Sequence, residues 1–235
     1  MSGRRANPTL APEQLTIAWQ SASLLLDYPD EDLLARVDLL RSASEALPTA
    51  LGDSIRTFLM HLESTPLPEL QSDYVETFDT RRRCNLFLTY FAHGDTRKRG
   101  MALLRFKQTY LRSGFDLDEA ELPDHLCVVL EYAATIDQAS GRQLMLDHRA
   151  GLELLRLSLR DLDSPWFSVV DSVCATLPPL RGDERDAVRR LAAVGPPEEE
   201  VGLAPFATPQ FSPNAAPSTS ESVSLPMPSF PGARG

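Results

Sequence analysis

The sequence lacks the features of several common protein classes. No run of apolar residues approaches the roughly 20 that a transmembrane helix needs. Positive charge is in deficit, because 23 Lys and Arg residues stand against 33 Asp and Glu, for a formal net charge of −10. A general nucleic-acid binder needs basic surface to displace counterions from phosphates, so this class is disfavoured. The three cysteines are far apart and odd in number, which predicts no disulfide framework and a reducing compartment.

The usual signatures of catalysis and metal binding are also missing. The sequence contains no glycine-rich phosphate loop, no G-x-S-x-G, no C-x-x-C and no H-E-x-x-H. His125 and Cys127 lie two residues apart, a spacing that points them to different sides of a helix. The acids at 116–121 lack the glycine and spacing of an EF-hand loop. A buried cysteine and a solvated acidic loop are therefore better interpretations than metal sites, and we expect no cofactor.

Composition predicts one folded domain between two irregular ends. Arg4-Arg5 is not followed by an apolar stretch, so residues 1–8 are predicted to be a flexible leader and not a signal peptide. Residues 196–235 contain nine prolines among many Ser, Ala and Thr residues. Such a segment buries too little apolar surface to offset its ordering entropy, which predicts a disordered Pro-rich tail. A short docking motif around 203–211 is the alternative. The folded domain is then 9–195.

Apolar residues in that domain repeat with the period of a helix. One stripe is formed by Leu15, Ala18, Trp19, Ala22, Leu25 and Leu26. No alternating strand pattern, hairpin dipeptide or internal repeat is found. The sequence therefore predicts an all-α single compact globule of about ten helices. The expected helices are one from Pro12, one over 31–46 capped by Asp30, 49–63, 69–78, 84–92, one from a cap at Asp95 to Gly114, one opened by Pro123, one around 152–162, 165–177 and 183–194.

Charge is distributed in two blocks of opposite sign. Residues 71–115 hold nine basic and four acidic side chains, and Lys98, Arg105 and Arg112 recur every seven residues. Residues 116–140 hold seven acids and no Lys or Arg. A surface with two electrostatic halves could orient a peptide that carries both apolar and charged residues. The alternative is that the blocks pair with each other or are simply solvated.

Several short motifs follow one another in a fixed order. They are Tyr74-Val75-x-x-Phe78-Asp79, Leu86-x-Leu88-Thr89, His93-Gly94-Asp95-x-Arg97-x-Arg99-Gly100-Met101-Ala102-Leu103-Leu104, Tyr110-x-x-x-Gly114, Glu121-Leu122-Pro123-Asp124-His125-Leu126 and Val129-Leu130-Glu131-Tyr132-Ala133. This order and spacing resembles the nitrate reductase delta-subunit family, the NarJ/NarW-type molybdenum cofactor assembly chaperones, which are related to the redox-enzyme maturation chaperones. The dense match covers about residues 74–134.

The resemblance implies a system-specific chaperone and not an enzyme. Members of the family are all-helical, and in the cytoplasm they bind the catalytic alpha subunit of respiratory nitrate reductase. They hold it for molybdenum cofactor insertion, assist iron–sulfur loading and delay docking on the membrane subunit. The recognised element is the N-terminal leader of that subunit, an amphipathic segment similar to a degenerate twin-arginine leader. The expected partners are thus the alpha subunit and the cofactor delivery machinery, with no nucleic acid and no membrane insertion.

The same resemblance assigns candidate peptide-binding residues. The family's Pro-Asp-His element, which lies near the leader-binding region, maps onto Pro123, Asp124 and His125, preceded by Glu121. Glu121 and Asp124 offer acceptors to a basic peptide, or they only favour a helix N-terminus by dipole and capping. His125 would make binding pH-dependent, because an unperturbed histidine titrates near about 6.5.

The remaining candidates lie earlier in the chain. Tyr74 and Phe78, one turn apart and followed by Asp79, form either the apolar floor of a groove or part of the core. Arg97 and Arg99 pair either with acidic residues of the leader or only with Asp95.

Three other functions stay open at this point. One is a related chaperone that serves a different oxidoreductase with an authentic twin-arginine leader. Another is a small-molecule enzyme on a helical scaffold, which the lack of a phosphate loop disfavours. The last is a regulator that contacts nucleic acid through Arg81-Arg82-Arg83 and the Lys98, Arg105 and Arg112 stripe, which the net charge disfavours.

Overall fold

The computed structural model describes residues 10–118 and 121–197. The chain divides into a unit of Met1–Glu199 and a unit of Glu200–Gly235, and the second unit lies outside the described residues. The predicted leader over 1–8 and all but the first two residues of the predicted tail over 196–235 lie outside them as well. These two assignments therefore stay predictions, and the architecture below is that of the first unit.

Helices account for nearly all regular structure in the described residues, so the predicted all-α fold is confirmed. Phe87 and His125 form one isolated antiparallel β-bridge. None of the described helices is long and apolar enough to cross a membrane. The α-helices are α1 (Pro12–Leu25), α2 (Glu31–Ala35), α3 (Val37–Glu45), α4 (Thr49–Ser64), α5 (Leu67–Tyr74), α6 (Tyr90–His93), α7 (Arg97–Arg112), α8 (Leu126–Thr135), α9 (Gln138–Asp147), α10 (Arg149–Asp161), α11 (Trp166–Thr176) and α12 (Gly182–Val194).

The first helix is the centre of the fold. The predicted apolar stripe of α1, apart from the half-buried Leu15, is buried where α1 packs against α8 and α11. The indole Nε1 of Trp19 donates to Thr176 Oγ1 at 2.9 Å, and Ser23 Oγ donates to the carbonyl oxygen of Cys127 at 2.8 Å. The buried indole N–H of Trp19 and the hydroxyl of Ser23 thus each have a partner, as burial requires. These bonds tie the start of the chain to helices more than 100 residues away.

An aromatic cluster fills the second half of the core, where α4 packs against α11. The rings of Phe58 and Trp166 lie 5.6 Å apart, those of Tyr74 and Phe78 lie 4.8 Å apart, and those of Phe78 and Trp166 lie 5.4 Å apart. Such tilted and edge-to-face pairs add to the apolar area that the rings bury. Helix α10 packs against α11, and α12 packs against α10.

Two of the predicted helix starts are confirmed and two are wrong. Asp30 caps α2, because its Oδ1 accepts from Leu33 N at 2.7 Å, and Pro12 opens α1. Asp95 does not cap α7, since the residue before the helix is Thr96 and the Asp95 carboxylate binds Arg99 Nη1 at 3.2 Å instead. Pro123 does not open a helix, because α8 begins at Leu126 after a turn.

Two predicted helices are interrupted. The helix expected over 31–46 breaks at Arg36, whose amide bonds to the carbonyl oxygen of Leu33, a tight i−3 pairing that ends α2 before α3 begins. The helix expected over 69–78 is α5 followed by a π-helical turn over Val75–Asp79.

The prediction of a helix over 84–92 is mostly wrong. The structure has a 3₁₀ turn over Arg82–Cys84, an extended stretch and then the short α6. The side-chain oxygen of Asn85 accepts from the amide of Phe87 at 2.7 Å. This local bond competes with helix formation, which is the ordinary behaviour of asparagine. We call residues 85–89 the connector.

Helix α9 was not predicted. Its apolar stripe is short, and its closest contact with α8 is made by Gly141, where an added Cβ would lie 2.4 Å from the Cβ of Ala133. A close approach of two helix backbones through glycine leaves no apolar periodicity in the sequence.

Candidate functional site

The turn at 121–125 is held against the connector by backbone hydrogen bonds. The amide of Leu88 donates to the carbonyl oxygen of Asp124 at 3.0 Å, and the amide of Leu126 donates to the carbonyl oxygen of Leu86 at 2.9 Å. The carbonyl oxygen of Pro123 accepts from the hydroxyl of Tyr110 at 2.6 Å. The Pro-Asp-His element is therefore a fixed corner between α7, the connector and α8.

Asp124 is fully buried in this corner. Its Oδ2 accepts from the amide of Thr89 at 3.1 Å and from the hydroxyl of Thr89 at 2.5 Å, and Arg99 Nη2 lies 3.5 Å away. The carboxylate faces the interior, so it neither presents an acceptor to solvent nor caps α8. The sequence offered two roles for Asp124, an acceptor for a basic peptide or stabilisation of a helix N-terminus. In the structure it has a third role, which is to anchor the connector.

Arg99 completes the same network, and Arg97 does not take part in it. The Arg99 guanidinium donates from Nε to Thr89 Oγ1 at 3.2 Å, pairs with Asp95 and lies 5.2 Å from the ring centre of Phe87. Its side chain is only 16% exposed. Arg97 is exposed on the first turn of α7.

Tyr74 and Phe78 belong to the core. Their exposed fractions are 7% and 5%, and both rings contact Trp166. The hydroxyl of Tyr74 donates to the carbonyl oxygen of Leu26 at 3.0 Å, which fixes the end of α1 next to Asp27. Asp79 is exposed at the end of the π-helical turn. None of these three residues takes part in the hydrogen bonds that hold the 121–125 turn.

A groove lies beside that turn, between α1 and α8. We call it the α1–α8 groove; its volume is about 410 Å³, within the range of ligand pockets. Of the predicted site residues, Glu121 and His125 line it. The full lining consists of Gln20, Ser23, Leu24, Asp27, Phe87, Glu121, Leu122, His125, Cys127, Val128 and Glu131.

The groove combines apolar walls with negative charge. Leu24, Phe87, Leu122 and Val128 supply the walls. Asp27, Glu121 and Glu131 are exposed carboxylates at its rim, and no Lys or Arg is found in the part of the lining that the structure describes. Such a groove suits an amphipathic segment with apolar and basic side chains.

Two polar groups in the groove are left without ordinary solvation. The ring of His125 lies 5.0 Å from that of Phe87, and burial lowers the pKa of His125 below its usual 6.5, against the opposing effect of Asp27 and Asp124. Burial thus favours the neutral form of His125. The amide oxygen of Gln20 is buried and has no hydrogen-bond partner among the described residues, so an acceptor stands ready for a bound donor.

Sequence reasoning missed one side of the groove. Gln20, Leu24 and Asp27 come from α1 and the residues just after it, about a hundred positions before the turn. Their one visible signal is that Asp27 follows directly on the apolar stripe of α1. Phe87 and Glu131 were within or beside the matched motifs and carried no signal of their own.

A second, larger cavity of about 510 Å³ lies elsewhere, among α6, α10 and α12. Leu88, Phe91, Leu191 and Val194 make it mostly apolar, and none of the predicted site residues lines it. Within the described residues, no three or more His, Cys, Asp or Glu side chains are placed to hold a metal ion.

Comparison with known proteins points to one family. The model of the family described as nitrate reductase delta subunit matches residues 44–171. A probable nitrate reductase molybdenum cofactor assembly chaperone, NarJ of Bacillus subtilis, is 35% identical over 68% of this chain and 88% of its own length. The nitrate reductase molybdenum cofactor assembly chaperone NarJ of Escherichia coli K12 is 32% identical over 63% of this chain and 64% of its own.

Two further similarities are partial. The nitrate reductase-like protein NarX of Mycobacterium tuberculosis H37Rv is 38% identical over 68% of this chain, and the match spans 24% of that longer protein. Among solved structures, a proposed redox enzyme maturation protein of Archaeoglobus fulgidus superposes with a TM-score of 0.49, at 20% identity, over 74% of this chain and 97% of the other.

Proposed function

The chain belongs to the nitrate reductase delta subunit family, and from that premise we propose that it is an assembly chaperone for the catalytic subunit of a nitrate reductase. Relatives in the family are named as molybdenum cofactor assembly chaperones of nitrate reductase. A chaperone acts by binding and not by catalysis, so no catalytic residue is assigned. We further propose that the chain works in the cytoplasm and holds its client for molybdenum cofactor insertion before the client docks on the membrane.

The proposed binding site is the α1–α8 groove, with the N-terminal leader of the client as its ligand. The observation that supports this most directly is the combination of apolar walls with the carboxylates of Asp27, Glu121 and Glu131. A leader resembling a degenerate twin-arginine segment carries apolar and basic side chains. Its apolar residues would pack on Leu24 and Leu122, while its basic residues would pair with the rim carboxylates.

Seven of the nine predicted site residues then fall into three roles, and Asp79 and Arg97 receive none. Glu121 and His125 would contact the leader, since they line the groove. Asp124, Arg99 and Pro123 would position the wall that carries them, because they anchor the connector and the turn. Tyr74 and Phe78 would support the groove from the core beneath Leu26 and Asp27.

A second client class is favoured by the same carboxylates. The groove would also accept the arginine pair of an authentic twin-arginine leader, so a chaperone for a different oxidoreductase is the alternative. The two differ in which leader binds more tightly.

Calorimetry with leader peptides tests the proposal. The full chain is titrated at pH 7.5 with a peptide copying the N-terminus of the nitrate reductase catalytic subunit of the same organism. A scrambled peptide and a true twin-arginine leader serve as comparisons. We expect saturable binding of the first peptide and none of the scrambled one. Tighter binding of the twin-arginine leader would favour the alternative client.

A pair of charge reversals locates the site. The variant Glu121→Lys/Glu131→Lys should weaken leader binding at least tenfold, because two rim carboxylates become cations. The matched control Glu45→Lys/Glu69→Lys makes the same change of net charge at exposed positions on α3 and α5 and should leave binding unchanged. Equal binding by both variants would show that the leader binds outside the groove, and no binding by the unmodified chain would refute the leader as ligand.

A further inference from the structure

The outer face of α7 carries exposed apolar side chains. Met101, Leu104 and Leu111 are 66%, 44% and 65% exposed. The opposite face of the helix is anchored in the core by Phe106 and Tyr110, each 1% exposed. Apolar side chains with this much exposure on one helix face mark a surface that a partner can cover.

The exposed residues follow the spacing of a coiled-coil seam. Met101, Leu104, Gln108 and Leu111 lie at intervals of three, four and three residues, and all four are exposed. In a heptad these are successive a and d positions, which face a partner helix. A stripe restricted to a and d is narrow and is typical of helix pairing, whereas a helix that lies on a membrane needs a wider apolar face.

Positive charge flanks the seam on both sides. Lys98, Arg105 and Arg112 occupy the e positions, and Lys107 occupies a g position of the same heptad frame. All four are exposed, and none forms an ion pair within the described residues. Helix α7 contains no Asp or Glu at all, on a chain whose net charge is −10. The local charge is therefore opposite to that of the molecule.

We propose that the outer face of α7 is a docking surface for an acidic amphipathic helix of a partner protein, packed in the manner of a two-stranded coiled coil. The partner would place apolar residues against Met101, Leu104 and Leu111. Its acidic residues would flank them and pair with the e and g cations, which set partner choice in coiled coils. Gln108 in the middle of the seam would favour one register at some cost in affinity.

This surface is independent of the proposed leader site. A leader rich in basic residues is attracted by the carboxylates of the α1–α8 groove and repelled by the cations of α7. An anionic membrane would also attract α7, but the narrow seam and the net charge of −10 favour a helix over a bilayer.

A designed peptide serves as the probe. It has three heptads with Leu at a and d and Glu at e and g; its like charges disfavour pairing with itself. A second peptide has Lys in place of Glu. Fluorescence anisotropy with the full chain should show saturable binding of the Glu peptide, at least tenfold tighter than of the Lys peptide. Vesicles of phosphatidylserine and phosphatidylcholine at 1:3 test the membrane.

Three variants distinguish the seam from general electrostatics. Lys98→Glu/Arg105→Glu/Arg112→Glu and Met101→Ser/Leu111→Ser should each weaken binding of the Glu peptide at least tenfold. The control Arg36→Glu/Arg160→Glu/Arg185→Glu makes the same change of net charge at exposed arginines on other parts of the surface. It should leave binding within twofold, and far-ultraviolet circular dichroism should confirm that each variant is folded.

Several outcomes would overturn the proposal. They are equal binding of both peptides, equal weakening by the control, or binding to vesicles that exceeds binding to the Glu peptide. Leader binding measured on the same variants should be unchanged, so a failure at α7 and a failure at the groove give different results.

Discussion

Asp124 is a buried carboxylate that joins the connector to the turn before α8. Its bonds to Thr89 and its proximity to Arg99 place a negative charge inside the protein with a nearby cation. Removing one partner of a buried pair leaves the other without compensation, and this costs more than the pair contributes. The position of Phe87, and with it one wall of the groove, depends on this residue.

Asp124→Ala is expected to lower the free energy of unfolding by about 3 kcal/mol, because Thr89 loses its acceptor and Arg99 loses its ion-pair partner. Asp124→Asn keeps an oxygen for the amide of Thr89, so its loss should be about half as large. Urea unfolding measures both. Asp79→Ala, at an exposed carboxylate, is the control and should change stability by no more than about 0.5 kcal/mol. A similar loss in all three variants would contradict the assigned role.

Three partly buried histidines make the stability of the protein depend on pH. Burial lowers the pKa of His61, His125 and His148 below 6.5. Below that pH these histidines bind protons in the unfolded chain but stay neutral in the folded chain, so the free energy of unfolding falls on acidification. The fall begins near pH 6.5, continues down to the lowered values and is absent above about pH 7.5.

The contribution of one histidine can be isolated. Each histidine that is protonated only in the unfolded chain changes the free energy of unfolding by at most about 1.4 kcal/mol per pH unit. His125→Asn removes one such histidine, so the stability of this variant should fall less steeply between pH 6.5 and 5.5 than that of the unmodified chain. Urea midpoints at intervals of half a pH unit provide the measurement. Parallel slopes for the two proteins would mean that His125 titrates normally in the fold.

Two glycines within helices have opposite surroundings. At Gly151 of α10 an added Cβ would lie 2.7 Å from the Cβ of Phe91, in the short α6. At Gly100 of α7 nothing lies within 4 Å of an added Cβ. One glycine is required for contact between two helices, and the other is not.

Gly151→Ala should therefore destabilise the protein by about 1–3 kcal/mol, because α6 or α10 must shift to admit the methyl group. Gly100→Ala should stabilise it by up to about 1 kcal/mol, since alanine favours the helix and meets no obstacle. Thermal unfolding of the two single variants gives the signs directly. Stabilisation by both variants would show that the contact between α6 and α10 adjusts freely.

Most helices could be predicted because they bury a broad apolar stripe, as α1, α4 and α11 do. The prediction failed where another force decides the local structure. At 84–92 a side-chain bond from Asn85 favours an extended connector, and at α9 the contact is made by Gly141, which leaves no apolar pattern. Arg36 separates α2 and α3 through a backbone hydrogen bond that the residue types there do not predict.

The candidate site was predictable on one side only. A resemblance over 74–134 placed Glu121 and His125, which line the groove. It also named Tyr74 and Phe78. Their helical spacing alone does not show whether they are exposed or, as the structure has them, buried in the aromatic cluster. The wall from α1 depends on which helices pack together, and this is decided by tertiary contacts such as that of Ser23 with Cys127.

The whole molecule keeps its thiols away from solvent. Cys84, Cys127 and Cys174 are all free and buried. Burial raises the pKa of Cys84 to about 11 and that of Cys174 to about 12, and raises the pKa of Cys127 as well. Little thiolate therefore exists at neutral pH, and thiolate is the reactive form.

Reaction with Ellman's reagent at pH 8 should accordingly be slow for the native protein and complete in 6 M guanidinium chloride, where all three cysteines are accessible. The rate should follow the fraction unfolded as denaturant is added. Rapid labelling of even one cysteine in the native state would show that the fold opens locally at that position. The exposed variant Gln108→Cys provides the positive control.

The pairing of α1 with α8 and α11 has a consequence for biosynthesis. The first helix leaves the ribosome long before its partners, so its buried stripe stays uncovered until more than half of the chain has been made. Contacts of such long range form late and leave apolar surface open to aggregation in the meantime. The groove has no second wall until α8 has emerged, so a nascent chain lacks the proposed leader site. In the proposed function, the chain must therefore complete its own folding before it can hold a client.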